Sequence, residues 1–449
     1  MAEVKDQREV KLIADVDDKI PVSQSIFLGI QHVLAMDIYI VPIILAGALA
    51  MGIGEKSFLI QMTFMAAGIA TIIQATIGLK LPVMQGPSYI PIGALAAIGG
   101  KLGLATMIGS MIPGAILIAV LGYFKLLGKI MKKIIPPIVA GTVILVIGIA
   151  LMPVAITNLY HGDRPIDNMI VAGISAVLLV VFLIIGARAN GKFKFFKLCS
   201  VIIALVGGTI VAAMYGMVDF TPVASASWFA LPKLMPFGMP EFDLNSVLVM
   251  IFIYFVILIE STGTWFAIGS VTGKEIDEKR IDGGSAGEGL GCAIGSVLGS
   301  MPVTGYSTNA GIIAITGVAS RRAIIAGGGI LIALGLMPKF TTLIGCIPEV
   351  VIMGVFAIVT VIIAMNGFRV LKSVSLNERN MLVIGIPVLL TIACVVTPKE
   401  VVGMMPVLLQ YLINAGMALG AVAAVVLNIV LPKENDEVIV DNASNTHGA

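Results

Sequence analysis

Three carboxylic acids fall inside long apolar runs of this chain, where an ordinary carboxylate has no water to sit in. Asp37 lies in the first such run, Glu260 in the middle of another, and Glu288 near the start of the run that follows. A charge at that depth costs about 3 kcal/mol on insertion scales, so each is a functional suspect. Glu260 is the foremost of them. It follows the apolar stretch IFIYFVILI and precedes STGTW, where Ser261, Thr262 and Thr264 add hydroxyls. Stripped of hydration, such a carboxyl can hold a proton near neutral pH, or when ionised it can accept hydrogen bonds from substrate N–H groups. A plain helix-packing acid is the competing reading for Glu260, and more so for Glu288, which stands closer to one membrane face. Asp37 could equally bridge two helices. His32 accompanies Asp37 in the first run, as a second proton-bearing group or a packing histidine. His161 and His447 fall in a loop and a tail and look incidental.

Two interrupted stretches complete a candidate site. QGPSY at 85–89 and MPVTGYSTN at 301–309 are rich in Gly, Pro, Ser and Thr, and neither makes a continuous helix. A helix that starts in mid-membrane after each would present free backbone N–H groups and a positive dipole end, which favour carbonyl oxygens and anions. Tyr89 offers an aromatic face on which a flat ring can stack. Ser307, Thr308 and Asn309 offer hydroxyl and amide partners. Carboxylate, backbone donors and aromatic platform together suit a flat heterocycle with alternating N–H and C=O edges. An inorganic oxyanion suits the dipoles but is repelled by Glu260.

The elements that must position these residues are membrane helices. The chain has 449 residues, 58% hydrophobic and only 12% charged, against about 45–50% and 25% in soluble domains. On a ruler of roughly 20 apolar residues per crossing, fourteen segments follow. They run near 26–49, 57–77, 81–98, 104–124, 136–156, 169–186, 198–216, 244–272, 284–301, 306–320, 323–342, 348–366, 380–396 and 404–431. The third and tenth contain the interrupted stretches, and irregular backbone at membrane depth survives only in protein or beside a polar cavity. Lys and Arg support the count: 17 lie in one alternate set of loops, including Lys125, Lys129, Lys132, Lys133, Lys192, Lys194 and Lys197, and 6 in the other. The richer set is then cytoplasmic, and an even number of spans puts both polar tails, 1–25 and 433–449, on that side.

The chain also resembles itself. IPPIVAGTV at 135–143 echoes IPEVVIMGV at 347–355, and Gly86 matches Gly305 at a comparable offset. Two halves of seven spans, the second inverted, fit both matches. Inverted repeats with interrupted helices in equivalent places point to a transporter site at the bilayer midplane. The four cysteines, Cys199, Cys292, Cys346 and Cys394, have no metal-ligand or redox spacing and read as small hydrophobes. No metal cluster, nucleophile–base pair or nucleotide loop is found. GGSAGEGLG at 283–291 lacks the lysine of a phosphate loop, so no cofactor and no enzyme activity are expected. The net charge of +2 gives no sign of a nucleic-acid partner, and none is expected.

These residues resemble the nucleobase–ascorbate transporters, in particular the bacterial xanthine/uracil permeases, over nearly all fourteen spans. GIQHVLAM at 29–36 holds the family's Gln-His pair as Gln31-His32. IPPIVAGTV, with Gly148 and Pro153 beyond it, is similar to the fifth span. TNAGIIAITGVASR at 308–321 resembles the family signature through Asn309, Gly311, Thr316 and Gly317. The resemblance implies an all-α polytopic fold in which spans three and ten each hold a short antiparallel strand before a half-helix. It implies a core domain of spans one to four (26–124) and eight to eleven (244–342), and a gate domain of spans five to seven (125–243) and twelve to fourteen (343–432). It further implies an elevator-like motion of core against gate, proton symport, a homodimer and a bacterial or archaeal inner membrane. By position it makes Glu260 the substrate-binding carboxylate, Tyr89 an aromatic that packs on the base, Ser307 and Thr308 the span-ten substrate loop, Ala35 a wall residue and Glu288 a functional acid. Gln31, His32, Asn309 and Asp37 join Glu288 as proton-coupling or supporting residues. Two departures stand out: Thr308 where relatives usually carry Glu, Gln or Pro, and Thr264 where they often carry an ionisable group. A smaller hydroxyl leaves room for water or for a bulkier purine.

The expectation is a proton-coupled importer of xanthine, uracil or uric acid. An inorganic anion transporter of the same inverted-repeat plan is the alternative.

Overall fold

A computed structural model describes residues 12–160, 164–188, 196, 199–372 and 374–432. The tail from 433, His161, His447, Lys192, Lys194 and Lys197 lie outside these residues. Each of the fourteen expected segments has a counterpart. Seven of the described helices are long and apolar enough to cross a membrane, and two bent pairs raise the number to nine if each pair is one span. The rest are short, broken or more polar.

In chain order the described helices of seven or more residues are α1 (Val22–Leu34), α2 (Ile40–Ala48), α3 (Ile53–Thr76), α4 (Ile92–Leu102), α5 (Leu104–Tyr123), α6 (Gly128–Ile134), α7 (Pro137–Thr157), α8 (Pro165–Arg188) and α9 (Ser200–Met214). After a long connection come α10 (Leu244–Thr272), α11 (Glu278–Val297), α12 (Thr308–Thr316), α13 (Arg321–Gly335), α14 (Pro338–Gly345), α15 (Glu349–Leu371), α16 (Glu378–Val396), α17 (Val407–Asn414) and α18 (Gly416–Val430). Strands β1 (Gln85–Pro87) and β2 (Val303–Gly305) precede α4 and α12 and pair antiparallel, with Gly86 opposite Thr304. The strand-plus-half-helix expected of spans three and ten is therefore present in both.

Packing divides the helices into two groups. The first comprises α1–α5 and α10–α13, where α5 lies along α11, α3 along α13, and α1 against α13. The second is built on α7 and α15, with α8, α9, α16 and α18 around them. The pattern repeats with inversion: α3 on α13 mirrors α11 on α5, and α8 on α15 mirrors α16 on α7. Small residues let the central helices touch. A Cβ on Gly148 of α7 would lie 2.4 Å from the backbone nitrogen of Ala364 on α15, the close approach that membrane interfaces use.

Three segments expected to be continuous are broken. Residues 26–49 form two helices: α1 ends at Leu34 and α2 starts at Ile40, with Pro42 in its first turn, where a missing N–H costs no helical bond. In 323–342 the chain turns by 81° between α13 and Pro338, and in 404–431 by 84° between Asn414 and Gly416. The amino-terminal tail is also not fully solvated. Residues 12–20 mix apolar and charged side chains: Ala14 and Ile20 pack with Leu28, Val318 and Ala323, while Asp15 pairs with Lys274 at 2.8 Å and Asp17 with Arg321. The Ala14 backbone runs beside Val318, just past the end of α12.

Candidate functional site

The crossing of β1 and β2 is where the expected residues gather. Each strand runs into a half-helix: β1 leads through Ser88 and Tyr89 to α4, and β2 through Tyr306 and Ser307 to α12. Backbone bonds extend the pairing past the strands, from Ser88 N to Pro302 O (2.9 Å) and from Tyr306 N to Met84 O (3.0 Å). Gly86 has no side chain for a reason: a Cβ there would lie 2.5 Å from the Tyr306 ring, whose hydroxyl donates to the Pro87 carbonyl at 3.0 Å.

Glu260 stands beside this crossing, half-buried on α10. The Ser88 hydroxyl donates to its Oε2 at 2.9 Å, and Thr304 also reaches the carboxylate. On the C-terminal side of Glu260, α10 grips β2. Ser261 Oγ lies 2.8 Å from Thr304 Oγ1 and accepts from the Gly305 N–H at 3.2 Å, and Thr264 Oγ1 donates to the Gly305 carbonyl at 3.1 Å. The hydroxyl at 264, one of the two departures from the family resemblance, thus ties the helix to the strand. Glu260 is thereby fixed to both interrupted segments.

The supporting residues fall into two clusters. Glu288, 2% exposed on α11, lies within reach of Ser261 and near Glu260, and its Oε2 has no partner among the described residues. On the other side, His32 Nδ1 lies 3.2 Å from Asn309 Oδ1, a hydrogen bond in the tautomer protonated at Nδ1. Asn309 Nδ2, Thr308 Oγ1 and Gln31 Oε1 are buried without partners among the described residues. Such groups are costly unless water or ligand serves them. Ser307 is the N-cap of α12, but its side chain makes no capping bond and is partly exposed. Ala35 caps α1 at the break before α2.

Asp37 and Tyr89 form a unit. Asp37 occupies the α1–α2 break, and the Tyr89 hydroxyl donates to its carboxylate. The Tyr89 ring stacks on Phe356 of α15, centroids 5.5 Å apart and planes 18° from parallel. The structure therefore brings Glu260, Tyr89, Ser307, Thr308 and Ala35 to segments around one crossing, with Glu288, His32, Gln31, Asn309 and Asp37 behind them. Sequence reading passed over Ser88, Thr304 and Phe356. Ser88 and Thr304 were within the two interrupted stretches, and the strand pairing is the signal that would have placed them. Phe356 sits in an apolar run and gave none. No group of three His, Cys, Asp or Glu side chains able to hold a metal occurs among the described residues.

Known proteins resemble this chain in sequence and in fold. A sequence model of the Permease family, of xanthine/uracil type, matches residues 23–400. The nucleobase transporter PlUacP of Paenibacillus larvae is 34% identical over 439 residues, covering 95% of this chain and 99% of that protein. The uric acid permease PucK of Bacillus subtilis is 32% identical over 420 residues, 90% of this chain and 95% of that protein. Among solved structures, the transmembrane domain of a cyanobacterium bicarbonate transporter, BicA, superposes with a TM-score of 0.61 over 92% of this chain and 99% of its own, at 16% identity. At that identity the likeness speaks for the fold alone, a multi-pass membrane fold of core and gate.

Proposed function

The chain belongs to the xanthine/uracil permease family, and from that premise we propose that it imports a nucleobase together with protons. Oxidised purines, xanthine and uric acid, come first among the candidates because relatives carry those names, and uracil follows. The observation that carries the proposal is the half-buried carboxylate of Glu260, held by Ser88 at the point where two half-helices begin.

The chemistry follows from the parts. Glu260 accepts the N–H edge of the base. The positive dipole ends of α4 and α12, with Ser307 and Thr308, serve its carbonyl edge. Tyr89 packs on the ring. Protonation of a buried acid, Glu260 or Glu288, neutralises the loaded site, and a neutral site crosses the low-dielectric region at less cost than a charged one. Residues 26–124 and 244–342 then move as a core against 125–243 and 343–432, with both tails cytoplasmic. A homodimer is part of the same reading and rests on the family resemblance alone.

Accumulation of radiolabelled xanthine, uracil and uric acid in cells lacking their own permeases tests the proposal. The expected result is uptake against a gradient that collapses with a protonophore and ignores excess sulfate or bicarbonate. Uptake of the anions instead would support the alternative reading as an anion transporter, which shares the fold but must place an oxyanion beside Glu260. Protonophore-insensitive equilibration would indicate a passive channel. Thr308 adds a second prediction. Thr308, whose hydroxyl has no partner among the described residues, stands where the family signature usually has Glu, Gln or Pro, so Thr308→Glu or Thr308→Gln is expected to reorder the competing bases. A hydrogen bond gained or lost to one base is worth about 1 kcal/mol, several-fold in apparent affinity. An unchanged competition profile would remove Thr308 from the site.

A further inference from the structure

The stack of Tyr89 on Phe356 joins the two helical groups at the candidate site itself. Tyr89 belongs to the link between β1 and α4, while Phe356 is carried by α15 of the other group. Phe356 is fully buried and Tyr89 is 5% exposed. With its hydroxyl on Asp37 and one face on Phe356, the Tyr89 ring is held at its tip and on one side. The hold on that side comes from across the boundary between the groups.

An aromatic ring has two faces, and Phe356 takes one of them. A flat base stacking on Tyr89 must use the opposite face or displace Phe356. In either case the ring at 356 determines where Tyr89 stands and how much room the base has. We infer that Phe356 is a specificity-determining residue, positioning Tyr89 so that the site takes flat, unsubstituted one- or two-ring bases and rejects bases enlarged by an N-alkyl group. This inference rests on the nucleobase reading and deepens it. Because Phe356 stays with its own helical group, the stack also exists in only one arrangement of core against gate, and sliding the core frees a face of Tyr89.

The test uses the full chain, purified and reconstituted in liposomes, with radiolabelled xanthine as reporter and uracil, uric acid and 1-methylxanthine as competitors. Phe356→Ala is expected to shift the ratio of inhibition constants, 1-methylxanthine against xanthine, about ten-fold toward the larger base, the upper range for one aromatic contact. Phe356→Tyr retains the wild-type ranking. Should the alanine variant fail to insert, Phe356→Leu carries the same readout with a smaller shift. A residue with only a packing role would lower uptake of all bases alike and leave the ratios untouched. An unchanged ranking in both variants, with xanthine uptake still measurable, overturns the inference while leaving the nucleobase reading intact. Wild-type liposomes that take up no base overturn that reading, and the inference with it.

Discussion

Glu260→Gln abolishes concentrative uptake while the protein stays in the membrane at its wild-type level. The substitution keeps shape and removes charge. One oxygen remains as acceptor, and the Ser88 hydroxyl, which donates to Oε2 at 2.9 Å, can rotate to accept from the new amide instead. The links that hold α10 to β2 run through Ser261 and Thr264, so the local fold survives. The ligand loses more. Hydrogen bonds to a charged acceptor are worth about 1.5–3 kcal/mol each, so loss of one lowers base affinity about 10- to 100-fold. A carboxamide also binds no proton, which removes any coupling through this residue. Exchange of base across preloaded vesicles separates the two roles. If Glu260 carries only the proton, exchange continues in the variant; if it holds the base, exchange fails as well. Undiminished accumulation would defeat the assignment altogether.

The second large effect lies away from the ligand, where α7 meets α15. Gly148 faces the Ala364 backbone so closely that a Cβ would stand 2.4 Å from its nitrogen. On the same pair of helices, a Cβ on Gly367 would stand 2.5 Å from the nitrogen of Leu145. These helices are the centre of their group, and neither can retreat without unseating α8, α16 and α18. Gly148→Val therefore costs about 1–3 kcal/mol or more in overpacking. The expected result is a sharp loss of monodisperse protein and a lowered Tm. Gly173→Ala on α8 is the control, because nothing lies within 4 Å of a Cβ there; it leaves both measures unchanged or slightly improved. A Gly148→Val protein as stable as the wild type would mean that the two helices are not in backbone contact.

How much of this was legible beforehand depended on the kind of signal. The cost of burying charge marked Glu260, Glu288 and Asp37 without any knowledge of the fold. Runs of Gly, Pro, Ser and Thr marked the two interrupted segments, because no continuous membrane helix tolerates QGPSY or MPVTGYSTN. The pairing of β1 with β2 was different. Three-residue strands have no periodicity to read, and only the family resemblance supplied them. The break before α2 escaped because the ruler counts apolar residues across 26–49, and residues 35–39 are mostly apolar too. The docked segment 12–20 escaped because its aspartates dominate the composition, although Ala14 and Ile20 between them are what pack. Contacts such as Ser88 with Glu260 and Tyr89 with Phe356 join residues 172 and 267 positions apart, and no spacing rule encodes them. Chemistry at a site was thus readable from what each residue costs to bury, whereas its partners emerged only from the packing.

One measurement bears most directly on the central claim: a density map of the full chain with xanthine bound. A flat ring is expected beside the β1–β2 crossing, its N–H edge on the Glu260 carboxylate and its carbonyl edge toward the first residues of α4 and α12. A base found elsewhere, or bound with Glu260 turned away from it, would contradict the account.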